Sequence, residues 1–303
     1  MKSNPRREVN LGQHRKKTML EHLKKTKARL LAGKKKRKPF SVPCKITPIK
    51  YNGQKVNIHS TFVKGFKTPI VFLTGLGCSQ SDFRKALESK QLKGHTILLF
   101  DFPGQGTNPR LPPSIPQRFK FTMEELAELT KAMLDHYGLK KVALVGHSMG
   151  GIVGRKLAQK HPERIDFFVD VESPLDLSEC QRCIKIANAR GQEYPKTMTE
   201  IAKNYATANK KAEARHSNTF KGASPQSIRK YSESIIREIG KRHPLNELPK
   251  GNFAYFAGEN NNSPQLKKLK EEGIQVIRIP NSGHFIMEDN PQSFYGKLAQ
   301  LIG

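Results

Sequence analysis

A short apolar run, Val142-Ala143-Leu144-Val145, ends in Gly146-His147-Ser148-Met149-Gly150, and a helix-forming stretch follows at once. Small residues on both sides of a serine, where a strand turns sharply into a helix, have the layout of a nucleophile elbow. The turn is too tight for side chains at its flanks, so glycine sits there. It pushes the serine hydroxyl out above the sheet, facing the N-terminus of the following helix. Such a junction needs a buried strand feeding a helix, which commits the chain to an α/β architecture. A Gly-x-Ser-x-Gly string alone also fits an ordinary glycine turn. The strand-turn-helix setting and a histidine near the C-terminus give it chemical meaning.

The rest of the chain repeats this alternation. Lys45–Tyr51 and Gln54–Phe62 are extended runs around Asn52-Gly53, a hairpin turn signal. Ile70–Leu73, Thr96–Phe100, Val142–Val145, Ile165–Val171, Phe253–Phe256 and Gln275–Ile279 are short and apolar, as expected of strands buried on both faces. Helical patterns fall near Ser81–Ser89, Thr122–Tyr137, Met149–Lys160 and Pro291–Leu301. This order predicts a mostly parallel sheet covered by helices on both faces. Between about Pro174 and Leu248 the strand runs stop. The segment is polar, with helices expected near Ser178–Ala189, Thr199–Lys210 and Pro225–Gly240. It is too long for a structureless loop, and we expect a helical cap (about 174–248) inserted after the sixth strand, over the site. The domain is set at 41–303.

The 303 residues carry a net charge of +28. Ten Lys and five Arg against Glu8 and Glu21 place +13 of it in residues 1–40. This tail has two expected readings, a solvated disordered segment or a basic amphipathic helix formed on demand. Thr18 and Glu21 fit a capping box, Gly33 fits a helix C-terminus, and Met19, Leu20, Leu23, Leu30 and Leu31 recur at roughly helical spacing. Lys34-Lys35-Lys36-Arg37-Lys38 fits a nuclear address. A surface this basic attracts polyanions, whether nucleic acid, anionic lipid or acidic proteins. No window of about 18 apolar residues predicts a membrane span, and the basic start lacks the apolar stretch of a secretory signal. Four cysteines (Cys44, Cys78, Cys180, Cys183) make no disulfide framework. A reducing, cytoplasmic setting is expected. Cys180 and Cys183 form a lone C-x-x-C, expected to be two small helix residues. No metal constellation, phosphate loop or complete dinucleotide fingerprint is present, so no cofactor or metal is implied.

From about Lys45 onward the chain resembles the α/β-hydrolase superfamily. The resemblance rests on Leu73-Thr74-Gly75-Leu76-Gly77, Asp101-Phe102-Pro103-Gly104-Gln105-Gly106, Gly146-His147-Ser148-Met149-Gly150-Gly151 and Ser282-Gly283-His284-Phe285, in that order and spacing. It implies Ser148 as nucleophile and His284 as its base, since a serine hydroxyl attacks poorly until a base takes its proton. It also implies an oxyanion hole from the Met149 and Leu76 N–H groups, although Thr74-Gly75 stands where His-Gly is usual. Cys78 and Ser79 are candidates to touch substrate, and Asp101 resembles the superfamily's structural loop acid. His147 is expected to pack beneath the elbow.

The third member should be a carboxylate that orients the imidazole and stabilises its charged form. Here the chain departs from the commonest pattern, because Asn261 stands where an Asp is expected after the seventh strand. Some superfamily members, haloalkane dehalogenases of one branch included, place the acid after the sixth strand. A group of poorly described hydrolases similarly has Val-Glu followed by Glu/Asp-Cys, as Val171-Glu172 and Glu179-Cys180 here. Glu172 is therefore the expected acid, with Glu259, then Asp170 or Asp176, behind it. The expected activity is cleavage of a carboxylic ester, lipid esters and thioesters included, through an acyl-enzyme. The serine argues against the dehalogenase and epoxide hydrolase chemistry that uses Asp at that position. A second class, motivated by Asn261 and the charge, is a binding protein on the same scaffold that holds nucleic acid or anionic membrane through residues 1–40. Oligomeric state and the exact ester are not written in the motifs.

Overall fold

The structure is a computed structural model and describes residues 43–106, 118–206, 222–240 and 252–303. The chain divides into two units, 1–41 and 42–303. The tail readings, and the parts of the 174–248 insertion at 207–221 and 241–248, lie outside the described residues.

Eight strands form one sheet: β1 (Lys45–Tyr51), β2 (Gln54–Val63), β3 (Lys67–Leu73), β4 (His95–Phe100), β5 (Val142–His147), β6 (Ile165–Val171), β7 (Phe253–Gly258) and β8 (Gln275–Ile279), in the order β1-β2-β4-β3-β5-β6-β7-β8. β1 and β2 form a hairpin whose turn residues Asn52 and Gly53 have φ of 47° and 76°, as a type I′ turn requires. β2 runs antiparallel to β4, and the strands from β4 to β8 are mutually parallel. Every residue of β4, β5 and β7 is buried, which explains their unbroken apolar runs.

Helices α1 (Met123–His136) and α2 (Met149–Lys160) pack on each other, and α2 lies on β5 and β6. A 3-10 helix at Gln80–Glu88 packs with α7 (Ile286–Asp289), which in turn packs on α8 (Pro291–Ile302). Between β6 and β7 lie a 3-10 turn (Leu177–Cys180), α3 (Gln181–Asn188), α4 (Glu193–Ala206) and α5 (Pro225–Gly240). After β7 comes α6 (Gln265–Glu271).

Several boundaries depart from the sequence reading. The 80–88 helix is 3-10 rather than α. α4 begins at Glu193, not Thr199, because Pro195 falls in its first turn, where a missing N–H costs nothing. The helix expected over Ser178–Ala189 opens as a 3-10 turn before becoming α3. α6 and α7 were not anticipated; at seven and four residues they are too short for a periodic signal.

The topology fixes where a ligand belongs. The chain leaves β3 for β4 on one side and returns to β5 on the other. A crevice opens at the carboxyl ends of strands where the order reverses in this way. Leu73 at the end of β3 pairs with Gly146 at the end of β5, so the Thr74–Gly77 loop and Ser148 emerge side by side.

Ser148 has φ 53° and ψ −117°, a strained backbone for a residue with a Cβ. It is held by its N–H donating to the Val171 carbonyl at 2.8 Å and its carbonyl accepting from Gly151 N–H at 2.9 Å. A methyl group on Gly146 would lie 2.4 Å from the Gly150 carbonyl oxygen, and one on Gly150 would lie 2.3 Å from that of Leu73. Both obstacles are backbone. We therefore expect Gly150→Ala to destabilise the fold by about 1–3 kcal/mol, read from urea unfolding. An unchanged unfolding midpoint would contradict this account of the elbow.

Candidate active site

Ser148 is the residue between β5 and α2, and Met149 is the first residue of that helix. The β3 loop lies against it: a Cβ on Gly75 would stand 3.2 Å from Ser148 Cβ. Leu76, next in that loop, lines the same cavity of about 650 Å3 as Ser148, Met149, Glu172 and His284. The five residues singled out from sequence are thus brought to one space by the ends of β3, β5, β6 and β8.

Glu172 follows β6 directly and has φ 51°. Its own N–H donates to the Phe256 carbonyl of β7 at 3.0 Å, which turns the side chain across the ends of both strands. The carboxylate is 9% exposed and its Oε2 lies 3.4 Å from His284 Nδ1. Its other oxygen, Oε1, accepts from Gly258 N–H at 2.6 Å and from Asn261 Nδ2 at 2.8 Å. The amide orientation of Asn261 is set at its other end, where Oδ1 accepts from Ser263 N–H at 3.0 Å. Asn261 therefore serves the carboxylate as a donor. Burial alone would push the Glu172 carboxyl up; contact with His284 and the bonds from Asn261 and Gly258 outweigh it and hold the group below the ordinary range. It stays ionised and aimed at the imidazole.

The other candidate acids are engaged elsewhere. Asp170 is fully buried and pairs with Arg155 at 3.5 Å; burial raises its carboxyl despite that guanidinium. Asp176 accepts from Ser178 N–H at 2.7 Å and caps the 3-10 turn. Glu259 accepts from Asn281 N–H at 2.9 Å on the surface. Asp101 accepts from Gln80 N–H at 2.6 Å, a structural use. Cys78 lines the cavity, whereas Ser79 turns to Ser81. Cys180 and Cys183 also line it, with burial pushing their thiols up to about 12 and about 11. They remain protonated and serve as apolar wall.

His147 packs beneath the elbow as expected, but its tie to the next loop, and the part played by Gln105, were not legible in the sequence. His147 is buried, its Nε2 lies 2.9 Å from the His284 carbonyl, and its ring centroid is 4.7 Å from that of His284. It ties the elbow to the loop that carries His284. Gln105, in the Gly-Gln-Gly string after β4, bonds the β3 loop at two points. Among the described residues there is no cluster of three or more His, Cys, Asp or Glu placed to hold a metal ion. Among them, too, no helix is long and apolar enough to cross a membrane.

A sequence model of the α/β-hydrolase fold matches residues 68–244. The chain belongs to the α/β-hydrolase family. The sn-1-specific diacylglycerol lipase ABHD11 of Mus musculus is 26% identical over 262 residues, covering 77% of this chain and 80% of that protein. Its Danio rerio namesake is 32% identical over 110 residues, 36% of this chain and 32% of that protein. Among solved structures, a thermophilic esterase from Thermogutta terrifontis superposes with a TM-score of 0.67 at 17% identity, covering 86% of this chain and 100% of that one. The N-acyl homoserine lactonase AidH complexed with N-butanoyl homoserine gives 0.67 at 16% identity, over 85% and 96%. These two likenesses establish the fold alone.

Proposed function

We propose that this member of the family is a serine hydrolase that cleaves a carboxylic ester, lipid esters and thioesters included, through an acyl-enzyme on Ser148. His284 takes the Ser148 proton as the hydroxyl attacks the acyl carbonyl. The Leu76 and Met149 N–H groups receive the developing oxyanion. The protonated imidazole gives its proton to the leaving alcohol or thiol, then activates the water that releases the acid. Glu172 holds Nδ1–H of His284 and stabilises the imidazolium. The observation that carries this reading is the Glu172 carboxylate at 3.4 Å from His284 Nδ1, held by Gly258 and Asn261, in a cavity that also takes in Ser148. The similarity to a diacylglycerol lipase over most of the chain supports a lipid ester. The helices between β6 and β7 act as a cap: Cys180, Cys183 and Ile235 from them line the cavity.

Asn261, which stands where an acid is usual, donates to the Glu172 carboxylate, which supports the catalytic reading over the binding protein. The charge of +28 supports a separate role for residues 1–40, bringing the enzyme to an anionic surface. The test is a panel of p-nitrophenyl esters and thioesters from short to long acyl chains. Turnover of at least one acyl length is expected, and it should survive removal of residues 1–40. No turnover at any length, with salt-dependent binding of nucleic acid, would favour the binding protein instead.

A further inference from the structure

Gln105 is fully buried, and both ends of its amide are committed to one loop. Its Nε2 donates to the Gly75 carbonyl at 2.9 Å, and its Oε1 accepts from Gly77 N–H at 2.9 Å. The two bonds straddle Leu76. The carbonyl before that residue and the amide after it are thus fixed by one side chain, which fixes the plane of the peptide bearing Leu76 N–H.

The loop that carries Gln105 is held on its other side by α5. Gly104 carbonyl accepts from Ser224 N–H at 2.7 Å and from Ser227 Oγ at 2.8 Å. Pro103 carbonyl accepts from Tyr231 Oη at 2.9 Å. Ser227 and Tyr231 are fully buried, and Ile235, one turn further along α5, lines the cavity. The approach is close enough that a Cβ on Gly104 would meet Ser227 Cβ at 2.6 Å. Hydrogen bonds from Ser224, Ser227 and Tyr231 thus hold the Pro103–Gly104 backbone to α5, and Gln105, the next residue along that backbone, holds the Gly75–Gly77 loop.

We infer that Gln105 is a positioning residue that holds the Leu76 N–H donor in register and makes that register depend on the seating of α5 against the Pro103–Gly104 backbone. The inference rests on the reading of Ser148 as nucleophile and deepens it. A substrate that seats α5 correctly sets the oxyanion donor, and one that displaces α5 pulls the donor out of line. The selectivity of such a device is expressed in the chemical step and leaves binding almost untouched. Coupling of this kind is established only when both ends are changed together.

The experiment uses the full-length protein and a fluorophosphonate, which traps the serine through an oxyanion-bearing adduct whatever the natural ester is. Gln105→Met keeps the side-chain volume and removes both bonds; Tyr231→Phe removes only the far tie. Gln105→Met is expected to lower kinact about tenfold or more, a displaced oxyanion donor costing less than a deleted one. KI should stay within about threefold. Tyr231→Phe should lower kinact about threefold, and the double variant should be no slower than Gln105→Met alone, because both changes act on the Leu76 donor through Gln105. Losses that multiply in the double variant, or a Gln105→Met protein with unchanged kinact and a lowered Tm, would overturn the inference. Should Gln105→Met not fold, Tyr231→Phe decides: a slower kinact at constant KI supports the tie, and an unchanged kinact removes it. Wild-type protein that takes no label on Ser148 overturns the reading of the site itself. Wild type labelled there, with Gln105→Met labelled as fast, overturns only the positioning role.

Discussion

Ser148→Ala is expected to lower kcat on any ester the protein turns over by about 10^5 to 10^6-fold, with KM changed little. The size of the effect follows from covalent catalysis. Without the hydroxyl no acyl-enzyme forms, and His284 is left with no nucleophile to deprotonate. A residue of activity above the uncatalysed rate should remain, since the Leu76 and Met149 donors still favour a tetrahedral oxyanion formed by water. Folding should survive. Alanine meets the same backbone strain at φ 53° that serine does, and the bonds holding the elbow run through the backbone N–H and carbonyl of residue 148. A loss of less than about tenfold would remove Ser148 from the chemistry, since even a single missing oxyanion donor costs more.

Glu172→Gln should cost about 10^3 to 10^4 in kcat, again with the fold intact. Glutamine keeps the volume, and its amide oxygen still accepts from Gly258 and Asn261. Its NH2 group would then face His284 Nδ1, which selects the tautomer with Nε2 protonated, and that imidazole cannot take the serine proton. The same substitution separates the stability role. The folded carboxyl sits below its ordinary value, so the bonds to Glu172 stabilise the fold fully above the unfolded carboxylate pKa of about 4.3. That contribution is lost as pH falls through the lower, folded value. The difference in unfolding free energy between wild type and Glu172→Gln should therefore shrink on acidification below about pH 4.3. Glu259→Gln, by contrast, removes only a surface charge, leaves an amide oxygen to accept from Asn281 N–H, and should leave kcat within about threefold. A reversed ranking of the two variants would move the acid to position 259.

Most of the architecture could be read in advance because each buried strand is a local apolar run and the parallel order follows from strand-helix alternation. Ser148 and His284 were legible for the same reason: each sits in a short string whose glycines state the backbone geometry. Glu172 was reachable because it directly follows the β6 run. What one window of sequence could not display are contacts made across strands. Asn261 read only as standing where an acid is usual, yet with Val171 paired to Phe256 its amide donates to the Glu172 carboxylate. Gln105 read only as one position of the Asp101–Gly106 string, and its use appears once the β3 and β4 loops are adjacent. His147 was placed beneath the elbow, but its bond to the His284 carbonyl spans 137 residues.

In the proposed mechanism one hydroxyl, at position 148, is activated by the His284–Glu172 pair. Intact-protein mass after fluorophosphonate treatment, followed by peptide mapping, reads that activation out. A single adduct on the Gly146–Gly150 peptide at Ser148, formed far more slowly in Glu172→Gln and His284→Ala, is the expected result. An adduct on another residue, or labelling of Ser148 at the same rate in those variants, would show that the pair does not activate this hydroxyl.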